Sequence, residues 1–91
     1  VKISISHKAK KQLGVAPAHI QTKFEYWCDL LYFKVLREVR KYKGFHDEPL
    51  KGNRRGQRSV RLSKSYRVLY SECKDGEFEI ISVIEVNKHE Y

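Results

Sequence analysis

Apolar and polar residues alternate at the start of the chain, Val1-Lys2-Ile3-Ser4-Ile5-Ser6, with the period of a half-buried strand. The basic run from His7 to Leu13 suits a short helical turn that Gly14 stops. Pro17 then fits the first turn of a helix, where its missing N–H would have had no partner. Ile20, Phe24, Trp27 and Leu31 follow at three- and four-residue spacing, and Val35 and Val39 extend the stripe to Gly44. Arg40, Lys41 and Lys43 occupy the last turn, where cations complement the helix dipole. That stripe is long for so small a domain, so a break is expected near Tyr32 to Lys34, leaving a long helix and then a short one.

Phe45 to Gly56 contains Pro49, Gly52 and Asn53 and reads as a loop. Ser59 to Ser63 alternates again. Val60 and Leu62 are directed to the core, and Ser59, Arg61 and Ser63 to the other face. Ser63-Lys64-Ser65 is a turn, Tyr66 to Cys73 a second strand, and Asp75-Gly76 a hairpin signal. Phe78 to Val86 is nearly continuously apolar, as expected of a strand covered on part of both faces. The expected fold is α+β, a mostly antiparallel four-stranded sheet with the N-terminal helices packed on one face, in the order β-α-α-β-β-β. The strands are Val1–Ser6, Ser59–Ser63, Tyr66–Cys73 and Phe78–Val86. The stripe with Trp27 at its centre is core.

The 91 residues make one domain, spanning 1–91, with no linker and no internal repeat. A chain of this length leaves no room for a deep interdomain cleft, so any site lies on an open face or shallow groove. The net charge of +8 favours a polyanionic partner. No apolar run approaches 18 residues and there is no signal-peptide pattern, so neither a membrane partner nor secretion is implied, and a cytoplasmic setting is expected. Cys28 and Cys73 show no metal-ligand spacing and are expected to be reduced, core or semi-buried thiols.

The charge is concentrated. Between Leu50 and Tyr70 stand Lys51, Arg54, Arg55, Arg58, Arg61, Lys64 and Arg67, seven basic residues with no acidic one among them. They are interleaved with strand formers, so they read as a cationic surface on a sheet rather than a basic tail. Arginine forks match phosphate oxygens, and several on a rigid face could hold a backbone and stabilise charge developing on one phosphate. The chain ends in Asn87-Lys88-His89-Glu90-Tyr91. In an extended segment residues 89 and 91 share a face, and His and Tyr are proton-transfer groups. His46-Asp47-Glu48 lacks metal-ligand spacing and reads as a cap or salt-bridge anchor, with His46 and Lys88 as outlying site candidates. No metal site and no cofactor is implied. The side chains present are of the kinds needed to cleave RNA through its own 2′-OH.

At this point the chain resembles the RelE/ParE toxin superfamily of bacterial toxin–antitoxin systems, with HigB- and RelE-like toxins the nearer likeness. The resembling stretches are 46–52, 56–62, the Tyr66-Arg67-Val68-Leu69-Tyr70 segment and 85–91. The resemblance implies ribosome-dependent endoribonuclease activity on messenger RNA. It also implies a cognate antitoxin, whose acidic segment would cover Arg58, Arg61 and Arg67. It makes Arg61 and Arg67 the phosphate-binding pair and His89 with Tyr91 the acid/base group. Lys51 and Arg54 lie where relatives contact ribosomal or messenger RNA, and the charge pattern adds Arg55, Arg58 and Lys64 as expected RNA contacts. Where RelE has an arginine near its C-terminal end this chain has His89, which favours the HigB-like assignment. ParE members share the look but inhibit DNA gyrase without catalysis, and that binding role is the alternative. A plain nucleic-acid-binding module is a third.

Overall fold

Ser6 ends the first strand and begins the first helix with a single side chain. Its hydroxyl accepts from the Ala9 N–H at 3.0 Å and donates to the Ile84 carbonyl at 2.6 Å, capping one element and tying it to another. In the computed structural model, which describes residues 1–76 and 78–88, this junction joins β1 (Lys2–Ile5) to α1 (His7–Gly14). Next come α2 (Ala18–Phe33) and α3 (Leu36–Val39), then 3₁₀ turns at Lys43–Phe45 and Gly52–Arg54. The strands β2 (Glu48–Pro49), β3 (Arg58–Arg61), β4 (Tyr66–Asp75) and β5 (Phe78–Lys88) complete the chain.

The sheet has five strands in the order β1-β5-β4-β3-β2. The β1–β5 pair is parallel and the other three pairs are antiparallel. The expectation of four strands is therefore corrected to five in a mixed sheet. The additional strand is only two residues long and sits among Pro49 and Gly52, where its pattern is that of a loop. Proline is tolerated there because β2 is an edge. The break in the long helix falls where the stripe loses strict spacing. Lys34 is extended (φ −131°, ψ 155°), and its N–H still closes on the Leu30 carbonyl.

One face of the sheet carries the core. Val60, Leu62, Val68, Tyr70, Ile81, Val83 and Val86 meet Ile20, Phe24, Trp27 and Leu31 of α2 and Leu36 and Val39 of α3. Trp27 is fully buried, its ring centroid 5.3 Å from that of Tyr70 and 6.1 Å from that of Phe24. The expected core assignment holds for Ile20, Phe24, Trp27, Leu31, Val39, Val60 and Leu62, whereas Val35 is exposed and Leu36 takes its place in the core, because the helix breaks at Lys34 and the phase of the stripe shifts by one residue. α1 lies along β5 beyond the end of β1, and Gln12 accepts from the Val86 N–H at 2.6 Å, satisfying an edge that β1 no longer covers.

A bulge in β5 decides what the other face carries. Leu69 pairs with Glu85 but the next residue, Tyr70, pairs with Val83, so Ile84 is skipped. The extra residue reverses the alternation along β5. Val83 and Val86, three apart, both reach the core, and Glu85 and Asn87 turn to the opposite face. The β4–β5 hairpin is tight. Asp75 pairs with Phe78, and Gly76 has φ 63°, a left-handed conformation that a side chain would strain.

Candidate nucleic-acid interface

Strand alternation places Arg61 on the sheet face away from the helices, and pairing does the rest. Arg61 of β3 stands opposite Arg67 of β4, which stands opposite Asn87 of β5. Directly opposed side chains have Cβ atoms about 4.5–5.5 Å apart, so two guanidinium groups and an amide form one row. Like charges opposed across a sheet are destabilising. Arg67 has a carboxylate oxygen, Glu48 Oε1, at 3.9 Å, and among the described residues no carboxylate pairs with Arg61. Both arginines are partly buried, which limits their motion. The row sets two partly buried guanidinium groups side by side, with one distant carboxylate, Glu48, to offset their charge.

The neighbouring row on the same face is Ser59, Leu69 and Glu85. All three are buried. The segment at Gly52–Arg54 lies over it. Arg54 Nη2 reaches Glu85 Oε1 at 2.5 Å, and its Nη1 donates to Gln57 Oε1 at 3.0 Å. Lys8 Nζ of α1 approaches the same Glu85 oxygen at 3.2 Å. The Arg54 hydrogen bond is the main cause holding the Glu85 carboxyl below the usual carboxylate range, with Lys8 adding to it and burial opposing.

The seven basic residues between 50 and 70 thus separate. Arg58 does not share the arginine face. It pairs with Tyr70 across the sheet, and its Nε donates at 2.6 Å to Asp47, a carboxylate almost fully buried. Tyr70 also donates to Asp47, from its hydroxyl to Oδ2 at 2.5 Å. Burial, then the Asp47 contact, raises the Tyr70 phenol above its ordinary range, while Arg40 beside it opposes the rise. Arg40 in turn pairs with Glu72. Asp47 is thus a salt-bridge anchor, and Arg58 is the residue it holds. Arg54 is anchored by Glu85 yet keeps part of its fork exposed. Lys51, Arg55 and Lys64 are exposed in the loops flanking the row.

His46 is exposed with φ 44°, an uncommon left-handed conformation for a residue with a side chain, and among the described residues no hydrogen bond ties it to the arginines. Lys88 pairs with Tyr66, one step out of phase with Asn87, so it does not share the arginine face. His89 and Tyr91 lie outside the described residues. Both cysteines are free. Burial pushes the Cys28 thiol up to about 12, with Asp29 and Glu25 adding to the rise, which keeps it protonated, and Cys73 is exposed rather than semi-buried. Among the described residues no three His, Cys, Asp or Glu side chains converge, and no helix is long and apolar enough to cross a membrane.

Glu85 and Lys8 are the members of this surface that sequence patterning does not single out. Two signals were available. Glu85 is an acid inside an apolar strand, and Lys8 is a cation in a helix first turn that holds no acidic residue, the end where cations are disfavoured.

No family model and no curated protein matches the chain. Solved structures do. A YoeB/ParE toxin from Agrobacterium tumefaciens superposes with a TM-score of 0.72 at 21% identity, over 99% of this chain and 100% of that one. YafQ from E. coli strain BL21(DE3) gives 0.74 at 18%, over 96% and 91%. The E. coli DinJ–YafQ toxin–antitoxin complex gives 0.72 at 19%, over 97% and 91%. The chain shares the fold of these toxin structures. Coverage of both chains is close to complete, so the likeness spans the whole domain, helices included, and not only the strands that carry the arginine row.

Proposed function

We propose that the protein is the toxin of a type II toxin–antitoxin system and an endoribonuclease that cuts messenger RNA on the ribosome. The observation that carries the reading is the Arg61–Arg67–Asn87 row, two opposed arginines fixed by strand pairing on an open face. A sheet accepts that repulsion with little structural return, and a bound phosphate removes it. The toxin fold supports the same reading.

In the proposed reaction the 2′-oxygen attacks the adjacent phosphorus as its proton passes to a general base. The bond to the 5′-oxygen breaks, and a general acid protonates that leaving oxygen. The products are a 2′,3′-cyclic phosphate and a 5′-hydroxyl. Arg61 and Arg67 hold the non-bridging oxygens and stabilise the charge they gain. His89 is the proposed acid or base with Tyr91 as its partner, and His46 is an outlying candidate. Lys51, Arg55 and Lys64 would contact flanking RNA. The inhibitor is a cognate antitoxin with an acidic segment laid over Arg61 and Arg67. Arg58 drops out of that contact because Asp47 already holds it.

The test is induced expression with messenger RNA ends mapped, beside a gyrase supercoiling assay. Cleaved messages with intact gyrase activity are expected. Removing an acid/base group typically costs about 100- to 10,000-fold in rate, and removing one stabilising donor about 100- to 1,000-fold. His89→Ala with Tyr91→Phe, and separately Arg61→Ala, should therefore relieve growth arrest while leaving the fold intact. Whole messages with inhibited gyrase would replace this reading with the ParE-like one. Full toxicity of the His89/Tyr91 variant would remove those two residues from the mechanism.

A further inference from the structure

Two cations from distant parts of the chain, Lys8 of α1 and Arg54 of the loop before β3, meet on one oxygen of Glu85, at 3.2 and 2.5 Å. The carboxylate is a tenth exposed, whereas Lys8 is 62% and Arg54 40% exposed. The acid is thus the buried base of the cluster and the donors are its outer surface. Two positive charges over one negative leave a surplus of one. Each cation also has unused donors, since a guanidinium carries five N–H groups and an ammonium three.

The cluster's position gives it meaning. Glu85 lies two residues from Asn87 along β5, on the same face. Two residues of strand span roughly 7 Å. That is comparable to the separation of successive phosphates in an extended single strand. The arginine row and the Lys8/Arg54 pair are thus neighbouring stations on one surface.

Resting on the nuclease reading above, we infer that Lys8 and Arg54 form the seat of a second backbone phosphate, adjacent to the one held by Arg61 and Arg67, with Glu85 as the positioning residue that aims both cations. The ligand is single-stranded RNA, recognised through its phosphates without regard to base. Glu85 lowers the charge of the seat but removes freedom from two long side chains, and a pre-aimed cation loses less entropy on binding than a mobile one. The bulge that skips Ile84 is what brings Glu85 to this face, so strand irregularity and second seat are one feature.

The experiment uses an uncleavable 2′-O-methyl RNA octamer and reads the salt dependence of binding to the intact chain, which separates recognition from catalysis. Each phosphate neutralised on a single strand contributes about 0.7 to the slope of log affinity against log salt. Lys8→Ala should lower the slope by about that amount, and Lys8→Arg should restore it. Lys10→Ala removes another exposed cation from the same helix and should leave the slope unchanged. Glu85→Gln should weaken binding although it makes the chain more positive. Bulk electrostatics alone predicts the opposite. Equal losses for Lys8→Ala and Lys10→Ala would overturn the seat, and tighter binding by Glu85→Gln would overturn the positioning role. If Arg61→Ala changes nothing, or the octamer does not bind, the RNA reading of the whole face falls and this seat falls with it. If Arg61→Ala loses binding while Lys8→Ala does not, only the second seat falls.

Discussion

On the helix-covered face of the sheet Val60, Val68 and Val86 stand in one cross-strand row; one residue along the same strands, on the opposite face, Arg61, Arg67 and Asn87 stand in another. The backbone is shared, and the chemistry is opposite. The valines are essentially inaccessible and their opposition is favourable, each buried side chain contributing roughly 1.5–3 kcal/mol. The arginines oppose like charges, which costs stability. One row contributes stability and the other spends some of it, so substitutions on the two faces should separate fold from function.

The largest effect is expected on the valine side. Trp27 packs above that row with no exposed surface and contacts Tyr70 and Phe24. Trp27→Ala should lose about 3–5 kcal/mol, measured by denaturant unfolding. The indole Nε1 makes no hydrogen bond among the described residues, so the loss is of packing rather than of a polar contact. A loss below 1 kcal/mol would mean that the core is not centred on this ring.

A smaller effect tests where the two faces meet polar chemistry. Asp47 holds both Arg58 and the Tyr70 hydroxyl from the helix side of the sheet. Asp47→Ala leaves both donors without their acceptor and should cost about 2–3 kcal/mol, discounted because Arg58 is a quarter exposed. Tyr70 adds a pH signature. Its phenol is raised above the ordinary value of 10.0, by burial first and Asp47 second. The stability it contributes is complete below pH 10 and is lost as the pH climbs toward the raised value. Wild-type stability should therefore fall more steeply above pH 10 than that of Tyr70→Phe. Identical alkaline limbs would remove Tyr70 from the network.

Local periodicity made the valine row and Trp27 legible in the sequence. The 3.6-residue stripe and the alternation at 59–63 each need only neighbours a few residues apart. The same alternation separates Arg58 from Arg61, since three residues is an odd step, but a count of charges conceals it. What sequence alone could not supply is set over long range. Asp47 meets Tyr70 across 23 positions, and Lys8 meets Glu85 across 77. The bulge at Ile84 carries no glycine or proline to mark it, and strict alternation would send Glu85 and Asn87 into the core. β2 is two residues long and sits where proline and glycine signal a loop. Arg61 and Arg67 were recognisable as a pair, but their direct opposition follows only from the β3–β4 register.

The smallest expected effect has the sign that matters most for the comparison. Opposed side chains in a sheet differ by roughly 0.2–1 kcal/mol according to their chemistry, and like charges lie at the unfavourable end. Arg61→Thr replaces one of the opposed cations with a β-branched residue suited to a strand, and nothing among the described residues loses a carboxylate partner by it. The variant should be as stable as the wild type or more stable, by up to about 1 kcal/mol, and the gain should shrink as salt screens the repulsion it relieves. In the same protein RNA binding and growth arrest should be lost. Most substitutions that abolish an activity lower stability, so a gain here would mark the row as held in place for its ligand. A loss of 2 kcal/mol or more would instead show that Arg61 supports the sheet, and the contrast between the two faces would then carry no functional meaning.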